Sequence, residues 1–440
     1  MEKKNERLRI LAEGEMISND TRATRINNND LIIGPSGAGK TRGYVMPNIL
    51  QANESMIVAD TKGSLYGEMA PYLRQKGYRV VCVDTRDTLS SFGYNPLDYI
   101  HRNPSTGRWL DQDILKLCSL LSPIENGRDP FWDLATRALL CALVGYVMER
   151  LPEEEHNLTS VVKLFKLTDE QCHELFLALE AEDPDSFAVQ QYGMMLCLSK
   201  AKATTGCITG MLGEKISSLA MEGPERMFCA PERLNFSDLG RQKMAVFLTV
   251  SDTDRSMDRL TNLFYTQALQ ELCNSADSSP DHRLEVPVRI YLDDFATNVF
   301  IPDFDKIISV IRSREIYVSV ILQSITQLDT LYGKSAACTI LNNCDNCLYL
   351  GGQDVDTAHY ISVKANCRID RVLNMPISEA YLFTRGQLPR KVTRFDVSRH
   401  EQYERMVEAR LAEEYGDFLP DPDAEAFCGS DLDRGPNEKL

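Results

Sequence analysis

Gly34-Pro35-Ser36-Gly37-Ala38-Gly39-Lys40-Thr41 satisfies the pattern G-x-x-x-x-G-K-[ST] at every fixed position. The residue types suit one chemistry. Glycines let successive backbone N–H groups turn inward around a polyphosphate. A helix starting near Lys40 adds the positive end of its dipole. The Lys40 ammonium is placed for β- and γ-phosphates, and the Thr41 hydroxyl for Mg²⁺. A second constellation is the apolar run RIYLDDFAT at 289–297, which carries two acids. Asp293 is the residue expected to hold Mg²⁺, directly or through water, and Asp294 to orient and polarise an attacking water. Lys40 and Asp293 are expected at adjacent strand tips of one sheet. The second acid is usually glutamate. Aspartate sets the carboxylate about 1.5 Å further back, one C–C bond. Slow hydrolysis or an extra water in the relay is the expected consequence, and Asp294→Glu is expected to turn over ATP at least as fast. Gln323, closing ILQS, can reach the γ-phosphate from a neighbouring strand. Arg312 and Arg314, in IRSRE, are candidates for action in trans on a neighbour's nucleotide, worth roughly 10³–10⁵ in rate. Thr61-Lys62-Gly63-Ser64 lacks the final aspartate of a guanine-specific loop, so ATP is the expected nucleotide.

Such groups need a rigid frame. Residues 30–33 read as a short strand entering the loop, 55–60 and 78–84 as further strands, and 64–76 as a helix between them. The alternation argues for a parallel sheet covered on both faces, with Asp60 and Asp84 at its ligand-binding end. From about His101 to about Arg233 the periodicity is helical. Residues 131–149 form one strongly apolar helix, Thr168-Asp169-Glu170-Gln171 a capping box, and Gly206 and Gly210 read as breaks. This block is expected to be an all-α insertion. Strands resume at 244–250, 288–292, 316–322 and 347–350, with 379–384 as the last. Residues 1–29 read as a mostly polar loop, and Pro47 as a kink or end of the helix after Thr41. From about His400 the chain reads as a surface helix and then an acidic disordered tail.

Size allows two to three domains. A net charge of −16 means that overall charge will not hold nucleic acid, so any such contact needs a local basic surface. Thirteen cysteines without a regular framework suit a reducing compartment. Cys344 and Cys347 form a CxxC without a second pair and read as structural. No stretch reaches about 18 uncharged apolar residues. The nearest, 134–151, contains Arg137, Glu149 and Arg150 and reads as a buried helix.

Several stretches together resemble type IV secretion coupling proteins, the TraG/TraD-like ATPases of bacterial conjugation. They are NNNDLIIGPSGAGKTRGYVMPNIL, VADTKGSLYGE, YNPLDYI, DPFWDLATRALL, LTVSDTDRSMDRLTNLFYTQ, YLDDFATNVFIPDFDKIISVIRSREIYVSVILQS and LGGQDVDTAHYIS, in that order over about residues 25–365. The likeness is nearest to coupling proteins of integrative elements in Firmicutes. It implies an α/β, RecA-like P-loop NTPase related to FtsK and HerA, with a mostly parallel sheet and an inserted all-α domain. Residues 1–100 and 234–400 would form the nucleotide-binding domain, 101–233 the substrate-docking domain and 401–440 the acidic tail. The resemblance implies ATP and Mg²⁺ as cofactors, with Lys40 and Thr41 in the phosphate loop, Asp293 and Asp294 as the acidic pair, Gln323 as the family's glutamine, and Arg312 where a trans arginine is expected. Its implied partners are a relaxase and accessory proteins docking on the all-α domain, single- or double-stranded DNA, and secretion-channel components. The working form would be a homo-hexamer at the cytoplasmic face of the membrane, and a soluble fragment could be a monomer. Three departures stand out: Asp60-Thr61-Lys62-Gly63-Ser64 for the family's Asp-Pro-Lys-Gly-Glu, aspartate at 294, and no leading transmembrane helices. The last points to a soluble version or a separate membrane partner. Two alternatives stay open: an FtsK/HerA-type DNA translocase without a channel, and a non-hydrolysing, ATP-gated docking adaptor.

Overall fold

The computed structural model describes residues 7–125, 127–199, 202–295 and 299–415. Two short strands open the chain, β1 (Leu8–Ala12) and β2 (Glu15–Ser18), and pair only with each other. The frame is a nine-stranded sheet. In chain order its strands are β3 (Asp30–Ile33), β4 (Ser55–Ala59), β5 (Arg79–Asp84), β6 (Met244–Thr249), β7 (Val288–Leu292), β8 (Ile316–Leu322), β9 (Asn346–Tyr349), β10 (Glu379–Thr384) and β11 (Arg390–Thr393). The spatial order is β11-β10-β9-β3-β8-β7-β4-β6-β5. Seven strands from β9 to β5 run parallel, and β10 and β11 are antiparallel additions at one edge. Every residue of β3, β4, β6, β7, β8 and β9 is buried. That is why they read as mostly apolar runs without alternation: helices cover both faces of a parallel sheet.

Residues 7–18 correct the expectation of a polar loop. They form the β1–β2 hairpin, turned at Gly14 (φ +70°). The arginine it buries meets partners from elsewhere in the chain rather than water. Buried Arg9 meets the Asp30 carboxylate at 2.6 Å, and Asp30 also faces buried Arg289, which pairs with Glu54. Asn48 then clamps the hairpin to the helix behind the phosphate loop, accepting from Ile10 N and donating to Ile10 O, each at 2.8 Å. The expectation of a last strand at 379–384 is corrected by β11, and the tail is not merely superficial. Its helix Tyr403–Tyr415 buries Met406 and Ala409, and Glu413 binds Arg74 of the helix Ser64–Gln75. The rest of the acidic tail lies outside the described residues.

Between β5 and β6 the chain is helical. Helix Phe131–Arg150 is, among the described residues, the one helix long and apolar enough to cross a membrane, and 72% of its apolar window is buried inside the fold. Gly145 lets helix Phe187–Leu198 approach closely, since a Cβ there would lie 3.1 Å from that of Ala188. Thr168 and Gln171 form the capping box that opens helix Asp169–Glu182. Gly206 and Gly210 are not breaks. Both lie inside helix Lys202–Ile216, with open space for at least 4 Å around the point a Cβ would occupy, so they cost helix propensity without ending the helix.

His101 sits where this block leaves the sheet-forming part. Its Nδ1 faces Asp113 Oδ2 at 2.9 Å and its Nε2 faces Glu271 Oε2 at 3.3 Å. Asp113 and then Glu271 push the imidazole pKa up to about 10. The folded value exceeds the unfolded one of about 6.5, so the contribution is complete below about pH 6.5 and disappears as pH rises towards the folded pKa. Urea midpoints should therefore fall more steeply between those values for the natural protein than for His101→Gln. Superimposable pH curves would remove His101 from this role.

Candidate active site

β3 delivers the phosphate loop to the carboxyl end of the sheet. The Gly34 N–H donates to Leu322 O at 3.0 Å, so the loop leaves the sheet still tied to β8. A Cβ on Gly34 would lie 3.0 Å from the Cβ atoms of Ala38 and Leu350, and only glycine fits there without displacement. Gly37 and Gly39 adopt φ +77° and +81°, the left-handed region that L side chains avoid. Lys40 Nζ lies within the loop, donating to Gly34 O (2.9 Å) and Pro35 O (3.2 Å). The helix that follows opens as a π-turn, Thr41–Val45, before the α-helical turn Met46–Leu50. Pro47 occupies the first turn of that α-helix, where its missing N–H costs nothing. The helix is not ended by Pro47, since it runs on to Leu50, and the interruption of the regular ladder that a proline imposes falls next to the π-turn.

β7 brings the acidic pair. The Thr41 hydroxyl donates to Asp293 Oδ2 at 2.9 Å. These two hard oxygens are the donors that would hold Mg²⁺ beside the phosphate loop. Burial raises the Asp293 pKa, the neighbouring Asp294 charge raises it further, and Thr41 and Lys40 oppose both. A divalent cation would relieve that cost. Asp294 sits at φ +49°, a conformation aspartate tolerates better than most residues. Its Oδ1 is 3.8 Å from Lys40 Nζ and accepts from Gln323 Nε2 at 3.3 Å. The five side chains Lys40, Thr41, Asp293, Asp294 and Gln323 are thus linked in one cluster.

The expectation that Lys40 and Asp293 stand on adjacent strand tips is corrected. β8 lies between β3 and β7, and Gln323 at its end fills the gap. Asp60 and Asp84 follow or close their strands at the carboxyl edge, as expected, and the β4–β7 register carries Asp60 to the tip beside Asp293, but among the described residues neither is hydrogen-bonded or ion-paired to the cluster. Asp60, its pKa raised by burial, accepts from Tyr66 N at 3.0 Å, and Asp84 at the far sheet edge holds Arg86. Residues 311–314 form a 3₁₀ turn at the opposite end of β8. Arg314 is held in two hydrogen bonds by Asp277, at 2.8 and 2.9 Å. Arg312 makes no side-chain hydrogen bond or ion pair among the described residues. Seven strand residues, about 23 Å, separate it from the nucleotide end of its own subunit. The last residues of RIYLDDFAT, 296–297, lie outside the described residues.

One residue carries no signal in the sequence. Arg394, just after β11, donates from Nη1 to Ala38 O (2.8 Å), from Nε to Glu379 O (3.0 Å) and from Nη2 to Leu350 O. None of these partners is a carboxylate, and burial lowers its pKa. C=O and the following N–H point opposite ways in a trans peptide. By holding the Ala38 carbonyl, Arg394 turns the Gly39 N–H away from itself. Nothing in the surrounding sequence marks such a residue, because its partners are main-chain oxygens. Arg394→Ala is expected to weaken ATP binding about tenfold, one charge-assisted hydrogen bond's worth. Arg394→Lys should recover only part of it, since an ammonium cannot reproduce the guanidinium fork. Titration calorimetry reads both, and an unchanged Kd would reduce Arg394 to a support of the hairpin.

A family model described as "Type IV secretory system Conjugative DNA transfer" matches residues 6–365. VirD4 of Agrobacterium fabrum is 24% identical over 367 residues, covering 80% of this chain and 52% of the relative. The chain thus spans about half the length of the curated relatives it matches. Among solved structures, the conjugative coupling protein TrwBdeltaN70 aligns at TM-score 0.63 and 16% identity, covering 89% of each chain. TrwB in complex with ADP and Mg²⁺ aligns at 0.62 and 16%, covering 88% of this chain and 89% of the other. These likenesses support a RecA-like P-loop NTPase fold with a mostly parallel sheet.

Proposed function

Since the chain belongs to the type IV secretory, conjugative DNA-transfer family, we propose that it is an ATP-hydrolysing coupling protein that recruits relaxase–DNA or protein substrates and drives them to a secretion channel. The observation carrying this is the linked cluster of Lys40, Thr41, Asp293, Asp294 and Gln323. In this reading the loop's N–H groups hold the polyphosphate, and Lys40 exchanges its carbonyl partners for phosphate oxygens. Thr41 and Asp293 would hold Mg²⁺, which would supply neutralising charge at the phosphates. Asp294 orients the attacking water, and Gln323, hydrogen-bonded to Asp294, ties that water to the end of β8. The complexes of TrwB with ADP and Mg²⁺ and with an ATP analogue support the choice of cofactors.

The helical block 101–233 is the proposed docking domain for relaxase and accessory proteins, on a nucleotide-binding domain made of 1–100 and 234–400. Assembly is as a homo-hexamer at the cytoplasmic face of the membrane, with Arg312 reaching a neighbour's nucleotide. The narrower kinship with Firmicutes integrative elements belongs to this reading too. ATP turnover by the full chain, with and without single-stranded DNA, together with capture of a relaxase, tests it. Mg²⁺-dependent, DNA-stimulated turnover with relaxase capture is expected. ATP binding without turnover would give the adaptor instead, and turnover without capture a translocase lacking a channel.

A further inference from the structure

Net charge leaves this protein poorly disposed to nucleic acid, yet residues 361–394 hold seven Lys/Arg against two Asp/Glu, while the chain as a whole carries −16. The fold gathers four of these cations around the outer face of β10. Lys364 lies over the Phe383 ring at 5.2 Å, and Lys391 over the Tyr381 ring at 5.7 Å. Those two rings stack at 6.1 Å. Beside them a concavity of about 640 Å³ is lined by Ser362, Val363, Asn366, Cys367, Arg368 and Arg371, and Cys367 Sγ lies 3.7 Å from the Tyr381 hydroxyl. The two acids engage only two of the cations: Asp370 binds Arg368 (3.0 Å) and Glu379 binds Lys391 (2.8 Å). Lys364 has aromatic partners but no carboxylate, and Arg371 makes no side-chain hydrogen bond or ion pair among the described residues. Arg371, which lines the concavity, and Lys364, which stands beside it over the Phe383 ring, are therefore two exposed cations without a carboxylate partner.

We propose that this groove binds the phosphate backbone of single-stranded nucleic acid, with Lys364 and Arg371 as its principal contacts. The proposal rests on the coupling-protein reading and locates its DNA grip. Tyr381 and Phe383 are covered, so the groove offers charge rather than stacking faces, and binding is independent of sequence. A concave, cationic surface suits a flexible strand better than a flat lipid face. One helix also joins the groove to the segment that follows Gln323. Helix Val355–Lys364 ends in it and starts at Asp354, which caps the helix through Thr357 N at 2.9 Å. Thr357 Oγ1 in turn accepts from Ile325 N at 3.0 Å, two residues past Gln323. A rigid rod of about 15 Å thus joins the Gln323 segment to Lys364.

The test is fluorescence anisotropy of a labelled oligothymidine strand across a potassium chloride series, using the full chain and the double variant Lys364→Ala/Arg371→Ala. Both side chains are exposed, so the fold should survive, and unchanged ATP affinity would verify it; Lys364→Gln/Arg371→Gln is the replacement if it does not. Losing two phosphate contacts should lower the slope of log K against log salt by about 1.4, with affinity falling about tenfold at moderate salt. An unchanged slope overturns the groove and leaves the coupling-protein reading standing. No DNA binding by the natural chain overturns both. Loss of binding to phosphatidylserine vesicles with DNA affinity intact would make the surface a membrane contact and overturn the proposal.

Discussion

Replacing Asp294 with asparagine is expected to cut ATP turnover about 10³-fold while ATP binds at least as tightly as before. The substitution isolates one property. Asparagine is nearly isosteric and, like aspartate, tolerates the left-handed backbone at φ +49°, so the turn after β7 keeps its shape. Its Oδ1 can still accept from Gln323 Nε2, the 3.3 Å bond that ties β7 to β8. Only the charge disappears, and with it the capacity to polarise a water. Affinity should not suffer, because Asp294 is also one of the groups that raise the Asp293 pKa. Removing it lowers the repulsion that Asp293 and an incoming triphosphate both feel. A coupled-enzyme assay gives kcat, and a fluorescent ATP analogue gives Kd. Turnover within about tenfold of the natural chain would mean that another group positions the water. Asp294→Glu in the same assay separates reach from charge: a longer carboxylate has to fit between Lys40 at 3.8 Å and Gln323 while adopting a backbone that glutamate favours less.

Much of this frame is legible in the sequence because its physics is local. β3, β7 and β8 are bounded by pattern at the residues observed, since apolar residues dominate a strand buried on both faces even where Asp30, Arg289 and Ser319 interrupt it. The phosphate loop is legible from spacing alone, its glycines being fixed by backbone angles and by the crowding at Gly34. Strand order is another matter. Periodicity says that 288–292 is a strand but not that β8 separates it from β3, so pattern alone makes neighbours of the Lys40 and Asp293 tips. The hairpin at 7–18 stays hidden for a related reason. Arg9, Asn19 and Asn28 look like loop residues, and become strand and core residues only through Asp30, Glu54 and Arg289, partners that folding brings from elsewhere in the chain. Arg394 needs the same knowledge, because carbonyl oxygens carry no mark in a sequence. Polar groups buried against distant polar groups are what pattern reading assigns to solvent.

Arg312→Ala should lower turnover about 10³-fold, within the range that a trans arginine supplies, and should leave ATP affinity nearly unchanged. The two arginines of the 3₁₀ turn are equivalent in the sequence, but their surroundings separate them. Arg314 is committed to Asp277 by a forked pair, while the Arg312 guanidinium is uncommitted. A side chain about 23 Å along β8 from its own Gln323 cannot reach its own γ-phosphate, so any catalytic role must be exercised on another subunit. Mixing then discriminates. Arg312→Ala subunits keep a sound phosphate loop, and Lys40→Ala subunits keep a sound arginine, so each alone is inactive. Together they form junctions in which an intact loop faces an intact Arg312, and turnover returns. An arginine acting within its own chain cannot be rescued this way, and a mixture as inactive as its components would remove Arg312 from the neighbour's site. Arg314→Ala provides the contrast. It breaks a partly exposed ion pair worth at most about 1 kcal/mol, so it should shift the unfolding midpoint slightly and spare turnover.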